Sequence, residues 1–153
     1  MPSRREQIKM SSAEVDEFLA GRRTMNVATN GPTGHPHVVA MWYGFHDGKP
    51  AFWTFGRAQK VINIRRDPKI SALVEDGDTY SQLRGVELVG RARLVEDHEG
   101  IVAIGLSVAQ RYQNVDADTA RSFVEGQAGK RLGVVIDVER VVSWDHTKLG
   151  GSY

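Results

Sequence analysis

The sequence of 153 residues contains no cysteine, which excludes disulfide bonds, thiol catalysis and cysteine-ligated metal sites. It also has no run that approaches the roughly 20 apolar residues of a membrane-spanning helix. The basic segment MPSRREQIKM is followed by no apolar stretch, so we expect no secretory signal and no membrane partner. These absences together predict a cytoplasmic protein.

The sequence also has no large excess of charge of either sign. Its 20 lysines and arginines are nearly balanced by 19 aspartates and glutamates, so the net charge is +1. A general nucleic-acid-binding surface needs a basic excess, so no nucleic-acid partner is expected. Any basic site must be local, and the densest cluster is Arg57, Lys60, Arg65, Arg66 and Lys69. The length predicts a single domain over residues 1–153.

Several catalytic and nucleotide-binding motifs are missing. Neither Gly-x-x-x-x-Gly-Lys nor Gly-x-Gly-x-x-Gly occurs, which disfavours a nucleoside triphosphatase and a doubly wound nicotinamide enzyme. No Gly-x-Ser-x-Gly turn accompanies Asp145 and His146, so a hydrolase triad is poorly supported. His35 and His37 could share one face of a strand, but no third ligand follows at a fixed spacing, and we predict no metal site.

Hydrophobic periodicity predicts six strands and several helices. An N-terminal helix is expected over 11–21, barrel strands over 24–96 with a helix at 58–67, helices over 98–128, and a last strand over 131–145. The first three strands, 24–29, 37–45 and 51–55, are expected to form a meander, with a hairpin at Asp47-Gly48. Both faces of the second strand are largely apolar, which predicts burial on both sides. The pattern indicates a mainly β fold with α decoration, a small six-stranded β-barrel.

One stretch, FWTFGRAQKVINIRRDP over 52–68, has its charges in an unusual order. An aromatic strand leads through Gly56 into a short helix that begins with Arg57 and Lys60 and has no acid in its first turn. Helix N-termini favour negative charge, so these cations predict a bound anion such as the phosphate of a cofactor. The alternative is a solvated basic face. Asn63, one turn further on, either contacts the same ligand or caps backbone.

The order and spacing of four segments resemble a known family. The segments are GHPHVVAMWYGFHDGKPAFWTF, RAQKVINIRRDPKISALVED, ELVGRARLVED and VVSWDHTKLGG. They are similar to the pyridoxamine 5'-phosphate oxidase-like split-barrel family, specifically its small actinobacterial branch of F420-dependent (deazaflavin) reductases. The resemblance extends from about Val15 to Trp144.

The resemblance implies a homodimer of split β-barrels with the cofactor in a groove between the subunits. Arg57 and Lys60 match the residues that hold the cofactor phosphate, and Asn63 and Arg66 lie on the same element. The cofactor ring would lie against the second strand, whose candidate wall and backbone hydrogen-bonding residues are Val39, Ala40, Met41 and Trp42.

The function implied by the resemblance is hydride transfer between reduced F420 and a small electron-poor organic substrate. The chain lacks the Arg-x-His triplet of the pyridoxamine phosphate oxidases, which disfavours that reaction. No catalytic side chain is assigned, although Tyr43, His37 or a water could act as a general acid. Two alternatives stay open: an FMN-dependent reductase or oxidase of the same fold, and a non-catalytic protein that binds F420 or haem, with His37 as the axial ligand.

Overall fold

A computed structural model describes residues 1–21 and 23–150 of the chain. Residues 22 and 151–153, which the predicted domain includes, lie outside the described residues. The strands are β1 (Met25–Asn30), β2 (Pro36–Met41), β3 (Gly44–His46), β4 (Lys49–Phe55), β5 (Lys69–Asp76), β6 (Arg84–Val95) and β7 (Arg131–Asp145). The α-helices are α1 (Arg4–Gln7), α2 (Ser12–Ala20), α3 (Gln59–Arg66), α4 (His98–Tyr112) and α5 (Ala117–Ala128), and short 3-10 helices occur at Tyr80–Gln82 and His146–Leu149.

The seven strands form one antiparallel sheet in the order β2-β1-β5-β6-β7-β4-β3. The expectation of a mainly β fold with α decoration is confirmed, but the count of six strands is wrong. The predicted second strand breaks at Trp42 and Tyr43 into β2 and β3, which lie at opposite edges of the sheet. The break has a physical cause, since the Tyr43 hydroxyl donates to the Leu19 carbonyl at 2.6 Å and the Trp42 ring stacks on Tyr112. The predicted meander is therefore also wrong.

The sheet curls around one core. Met25, Val27, Phe52, Val86 and Ile136, from strands along the whole sheet, belong to a single buried cluster. Side chains of β2 and β3, the two edge strands, pack against the same cluster. A flat sheet could not bring both edges to one core, so the strands form an open barrel. A second apolar cluster lies between β4, β7 and the helices α4 and α5.

The predicted burial of the second strand on both sides is wrong for the single chain. Residues alternate along β2 between half-buried and exposed, and Val38 is 60% exposed. The half-buried side chains, Val39 and Met41, face the barrel core. The other face points outward, and none of the described elements packs over Val38.

The predicted hairpin is confirmed, and strand β6 contains a bulge. Asp47 and Gly48 close the β3–β4 hairpin with φ values of +50° and +76°, the left-handed conformation that a tight hairpin turn requires. At Gly90 the register of β6 against β7 shifts, as expected for a bulge. A Cβ atom at Gly90 would lie 2.1 Å from the Asp137 carbonyl oxygen, so this close approach requires glycine.

Helix α3 begins later than the sequence suggested. Ala58 is the N-cap residue with extended backbone angles, so Arg57 lies before the helix and Lys60 is the only cation in its first turn. The expectation of two cations in that turn is corrected, whereas the absence of acid from it is confirmed. Asp67 ends the helix because the residue before proline avoids the helical conformation.

Candidate functional site

An open cleft of about 460 Å³ lies between the end of β2, strand β4 and the helices α4 and α5. Its walls include the residues Ala40, Met41, Trp42, Trp53, Gly105, Val108, Ala109, Phe123 and Arg131. We call it the aromatic cleft, since three of these side chains carry aromatic rings. Thr24 and Gln113 add uncharged polar groups, and Arg131 is the charged residue of the lining. The cleft thus offers a wide apolar wall and a single cation.

Tyr112 and its neighbours hold Trp42 in place on one wall. The two rings are parallel within 3°, with centroids 4.9 Å apart. The Tyr112 hydroxyl donates to the Arg23 carbonyl at 2.6 Å, which fixes the ring beneath Trp42. Trp42 keeps 50% of its surface exposed, so its outer face is open to a second flat group.

Trp53 and Arg131 form the opposite part of the wall. The Arg131 guanidinium carbon lies 4.6 Å from the centre of the Trp53 ring and 4.3 Å from that of Phe55. Trp53 packs closely on α4, where a Cβ atom at Gly105 would lie 2.9 Å from the ring. Arg131 is thus held between two aromatic rings, a position that orients its planar guanidinium group.

A second cleft, of about 600 Å³, adjoins the first on the far side of Arg131. It is lined by Phe55, Gly56, Arg57, Gly129, Lys130, Arg131 and Leu132, and we call it the basic cleft. Three of its seven lining residues are cations and none is acidic. The ladder between β4 and β7, in which Phe55 pairs with Arg131, sets the cleft's floor.

Lys60 lies elsewhere, on the barrel side of β4. Its side chain is only 8% exposed, and Nζ donates to the Thr54 Oγ1 atom at 3.0 Å. Within residues 1–21 and 23–150, no carboxylate pairs with this ammonium group. Burial lowers its pKa below the ordinary value for lysine. Lys60 is therefore a buried cation without a counter-ion.

The structure separates the residues that the sequence grouped as a phosphate site. Neighbouring residues of a strand face opposite sides, so Thr54 and Lys60 lie on the barrel side while Phe55 and Arg57 border the basic cleft. Asn63 is fully buried, accepting from Gln59 and donating to the Thr29 hydroxyl at 3.1 Å, so its amide holds α3 to the barrel.

Two other cations of the basic cluster have partners. Arg65 pairs with Glu96, and Arg66 donates to the Asn30 carbonyl. Arg57 is exposed and makes no hydrogen bond or ion pair to the described part of the chain. Within the described residues, Arg65 is thus the member of this cluster that forms an ion pair with an acid.

The structure brings together three of the four residues that were predicted to lie against the cofactor ring. Ala40, Met41 and Trp42 line the aromatic cleft together. Val39 points to the barrel core and does not line it. The sequence reasoning missed Phe123, Lys130 and Arg131 as site residues, and it did not assign Trp53 to the site. The signal for Arg131 was weak, since only the β4–β7 register brings it beside Trp53 and Phe55.

The candidate proton donors differ in access. Tyr43 is fully buried, and burial is the main cause that raises its pKa to about 12. His37 lies opposite Thr29 on β2, and its Nδ1 atom is buried without a partner. His35 is exposed in the preceding turn, and no cluster of three potential metal ligands occurs among the described residues. None of the helices in residues 1–21 and 23–150 has both the length and the apolar character needed to cross a membrane.

Comparisons with known proteins identify the fold and the family. Conserved hypothetical protein Rv2991 from Mycobacterium tuberculosis is 44% identical with a TM-score of 0.92, over 99% of this chain and 95% of that one. An F420 reductase is 25% identical with a TM-score of 0.62, over 82% of this chain and 94% of that one. A heme binding protein from Mycobacterium smegmatis shares the fold at 18% identity and a TM-score of 0.62, over 97% and 60% of the two chains. The comparison with curated proteins gives no match.

The expected split-barrel family is thereby confirmed. The family model described as pyridoxamine 5'-phosphate oxidase matches residues 11–145, from the cap of α2 to the end of β7. The match includes every strand of the sheet and both clefts. The chain therefore belongs to the pyridoxamine 5'-phosphate oxidase family.

Proposed function

We propose that the protein is an F420-dependent oxidoreductase that transfers a hydride between reduced deazaflavin and a small electron-poor organic substrate. The observation that carries the proposal is the aromatic cleft, in which Ala40, Met41, Trp42 and Trp53 line an apolar space of about 460 Å³. A flat tricyclic ring needs such a wall. The 25% identical F420 reductase and the 44% identical mycobacterial protein support the actinobacterial deazaflavin branch.

The residues of the cleft would bind the ring and exclude water from it. The exposed face of Trp42 offers a stacking surface, and the backbone of Ala40 and Met41 at the sheet edge offers hydrogen-bonding groups. Bound deazaflavin supplies the hydride chemistry, and the protein contributes orientation and a dry apolar site. Tyr43 is excluded as the proton donor because its hydroxyl is buried on the Leu19 carbonyl. We therefore assign no catalytic side chain.

Lys60 is the proposed contact for the cofactor phosphate, with Arg57 on the other side of the start of α3. A buried ammonium group without a carboxylate is costly, and a phosphate would compensate its charge. Thr54 takes one of the three N–H donors of Nζ, which leaves two for phosphate oxygens. The first turn of α3 contains no acid that would repel an anion. Asn63 would act indirectly by holding Gln59 at this turn.

We also propose that the protein is a homodimer. The outward face of the sheet carries Val38, Ala28, Leu73 and Trp144 around an apolar groove of about 290 Å³. Helices α4 and α5 cover the part of this face at β4 and β7, whereas the groove itself is lined by strand residues alone. A second copy of the chain, bringing the same apolar surface, would bury it.

The test of the cofactor is a titration of the purified protein with F420, FMN and haemin, followed by intrinsic tryptophan fluorescence. We expect F420 to bind most tightly. Binding should change the fluorescence, because Trp42 and Trp53 flank the proposed ring position. Tighter binding of FMN would replace the proposal by the flavin alternative. Tighter binding of haemin would favour the haem-binding alternative, for which the buried, unpartnered Nδ1 of His37 would be the first residue to test.

Substitution of Lys60 tests the phosphate contact. Lys60→Ala should weaken F420 binding about 10- to 150-fold, or roughly 1.5–3 kcal/mol, if Nζ contacts the phosphate. Lys9→Ala is the matched control, since it removes the same charge from an exposed position outside both clefts. If the Lys60→Ala variant and the control bind F420 with equal affinity, Lys60 has a purely structural role. Oxidation of reduced F420 with a panel of electron-poor acceptors then tests turnover.

A further inference from the structure

Arg131 is held in an unusual environment for a charged side chain. It stands between Trp53 and Phe55, at 4.6 and 4.3 Å from their ring centres, and Phe55 is its cross-strand partner in the β4–β7 ladder. Its Nε atom is buried and makes no hydrogen bond. No ion pair joins Arg131 to any acidic residue in the described part of the chain. The guanidinium group is thus oriented by aromatic rings and left without an anion.

The surrounding charges are uncompensated as well. Arg57 and Lys130 line the same cleft, and no acidic residue lines it. Several other cations of the sheet have acidic partners: Lys49 and Arg93 both contact Asp137, and Arg91 contacts Glu139. A chain with a net charge of +1 has enough acids to neutralise its cations. In the basic cleft, three cations are nevertheless gathered without one.

The cleft is also shaped to admit a ligand. Gly56 and Gly129 add no side chains to its lining, and a Cβ atom at Gly129 would meet nothing within 4 Å. The walls are fixed by the hydrogen bond from the Gly56 N–H to the Lys130 carbonyl at 3.0 Å. Arg131 borders both this cleft and the aromatic cleft. A molecule whose flat part occupies the aromatic cleft would extend past Arg131 into the basic one.

We propose that the basic cleft is a second anion-binding subsite, formed by Arg57, Lys130 and Arg131. It binds a phosphate or carboxylate group that is separated from the ring by several bonds. Arg131 is its specificity-determining residue, because a planar guanidinium group binds two oxygens of one anion at once. The subsite is distinct from Lys60, which lies on the other face of β4. The identity of the ligand rests on the proposed function, and the acidic group belongs either to the tail of F420 or to the substrate.

Calorimetric titration with pyrophosphate tests the subsite directly. We expect binding to the wild-type protein, and about tenfold or greater weakening by Lys130→Ala and by Arg131→Met. Lys130 is exposed, so its variant keeps the result interpretable if Arg131→Met proves unstable. Arg131→Lys should weaken binding too, since it keeps the charge but loses the planar pair of donors. Arg5→Gln, which removes a charge from α1 outside the cleft, should leave binding unchanged.

A competition arm identifies the source of the acidic group. If the tail of F420 occupies the cleft, protein saturated with F420 will no longer bind pyrophosphate. If the cleft serves an acidic substrate, pyrophosphate will bind equally well in the presence of F420. Both results support the subsite and differ in what fills it.

Two outcomes would overturn the inference. One is the absence of millimolar pyrophosphate binding, and the other is equal binding by the wild type, Lys130→Ala and Arg131→Met. These are separable from failure of the proposed function. Pyrophosphate binding that depends on Arg131, without F420 binding, refutes only the cofactor proposal. F420 binding that depends on Lys60, without any pyrophosphate site, refutes only the subsite.

Discussion

At the scale of single residues, Lys60 and Arg131 have in common an uncompensated positive charge. Burial lowers the pKa of both side chains, and neither has a carboxylate partner in the described part of the chain. Removing a charge from water is costly unless another charge or a hydrogen-bonding group replaces the lost solvent. One hydroxyl contacts Lys60, and two aromatic rings contact Arg131. These contacts replace only part of the solvent that each charge loses. Both sites would gain most from an anion.

Tyr43 provides a prediction at the same scale. Its ordinary pKa of 10.0 is raised to about 12, with burial as the largest cause. The folded protein therefore holds this proton more tightly than the unfolded chain, and the free energy of unfolding should fall between pH 10 and pH 12. Tyr43→Phe removes this contribution, so its stability should fall less steeply with pH, by roughly 1 kcal/mol per pH unit.

The same variant should cost about 1 kcal/mol at pH 7, because the hydroxyl no longer donates to the Leu19 carbonyl. Urea denaturation of both proteins at several pH values measures the two effects. Parallel stability curves from pH 10 to 12 would contradict the assignment of the raised pKa to this tyrosine.

At the scale of elements, the position of a glycine decides what its replacement does. Gly48 has a φ of +76° in the β3–β4 turn, where a side chain is strained. Gly126 lies inside α5, where a Cβ atom would meet nothing within 4 Å. The turn needs glycine for its backbone conformation, whereas the helix merely tolerates it.

Opposite stability changes are expected for the two alanine variants. Gly48→Ala should lower the free energy of unfolding by about 1 kcal/mol. Gly126→Ala should raise it by about 0.5–1 kcal/mol, since alanine has the higher helix propensity. Each variant serves as the control for the other in urea denaturation. A stabilising Gly48→Ala would show that the turn does not need the left-handed conformation.

At the scale of the whole molecule, the inner and outer faces of the curled sheet differ in how far they are buried. The inner face is filled by the core cluster and closed by α2 and α3. The outer face keeps Val38 exposed, and it carries the apolar groove proposed as the dimer contact. The proposed dimer thus follows from a surface that one chain leaves uncovered.

Substitution at Val38 tests that surface. The wild type should have a mass of about twice 17.0 kDa in light scattering, and Val38→Glu should move the protein towards 17.0 kDa. A carboxylate buried in the interface should weaken dimerisation roughly 100-fold. Val115→Glu, at an exposed position in the α4–α5 connection, should leave the mass unchanged. A monomeric wild type would refute the dimer.

Much of the architecture was accessible from the sequence. The alternation of apolar residues located the strands that became β5, β6 and β7, and Asp47-Gly48 located a hairpin, because both signals are local. The strand that breaks at Trp42 and Tyr43 was not predictable from alternation, which continues through the break. Contacts with Tyr112 and Leu19, distant in the chain, caused it.

The sequence by itself determined that this chain is a mainly β domain with a local basic cluster, and its motif order indicated the family. Only the tertiary structure decided how the cations of 52–68 are distributed. Strand alternation at Thr54 and Phe55 sends Lys60 to the barrel side and leaves Arg57 in a cleft with Lys130 and Arg131. The reason is that charge and helix position are local properties. Which face of a strand a side chain meets, and which distant cation joins it, depends on the pairing of β4 with β7.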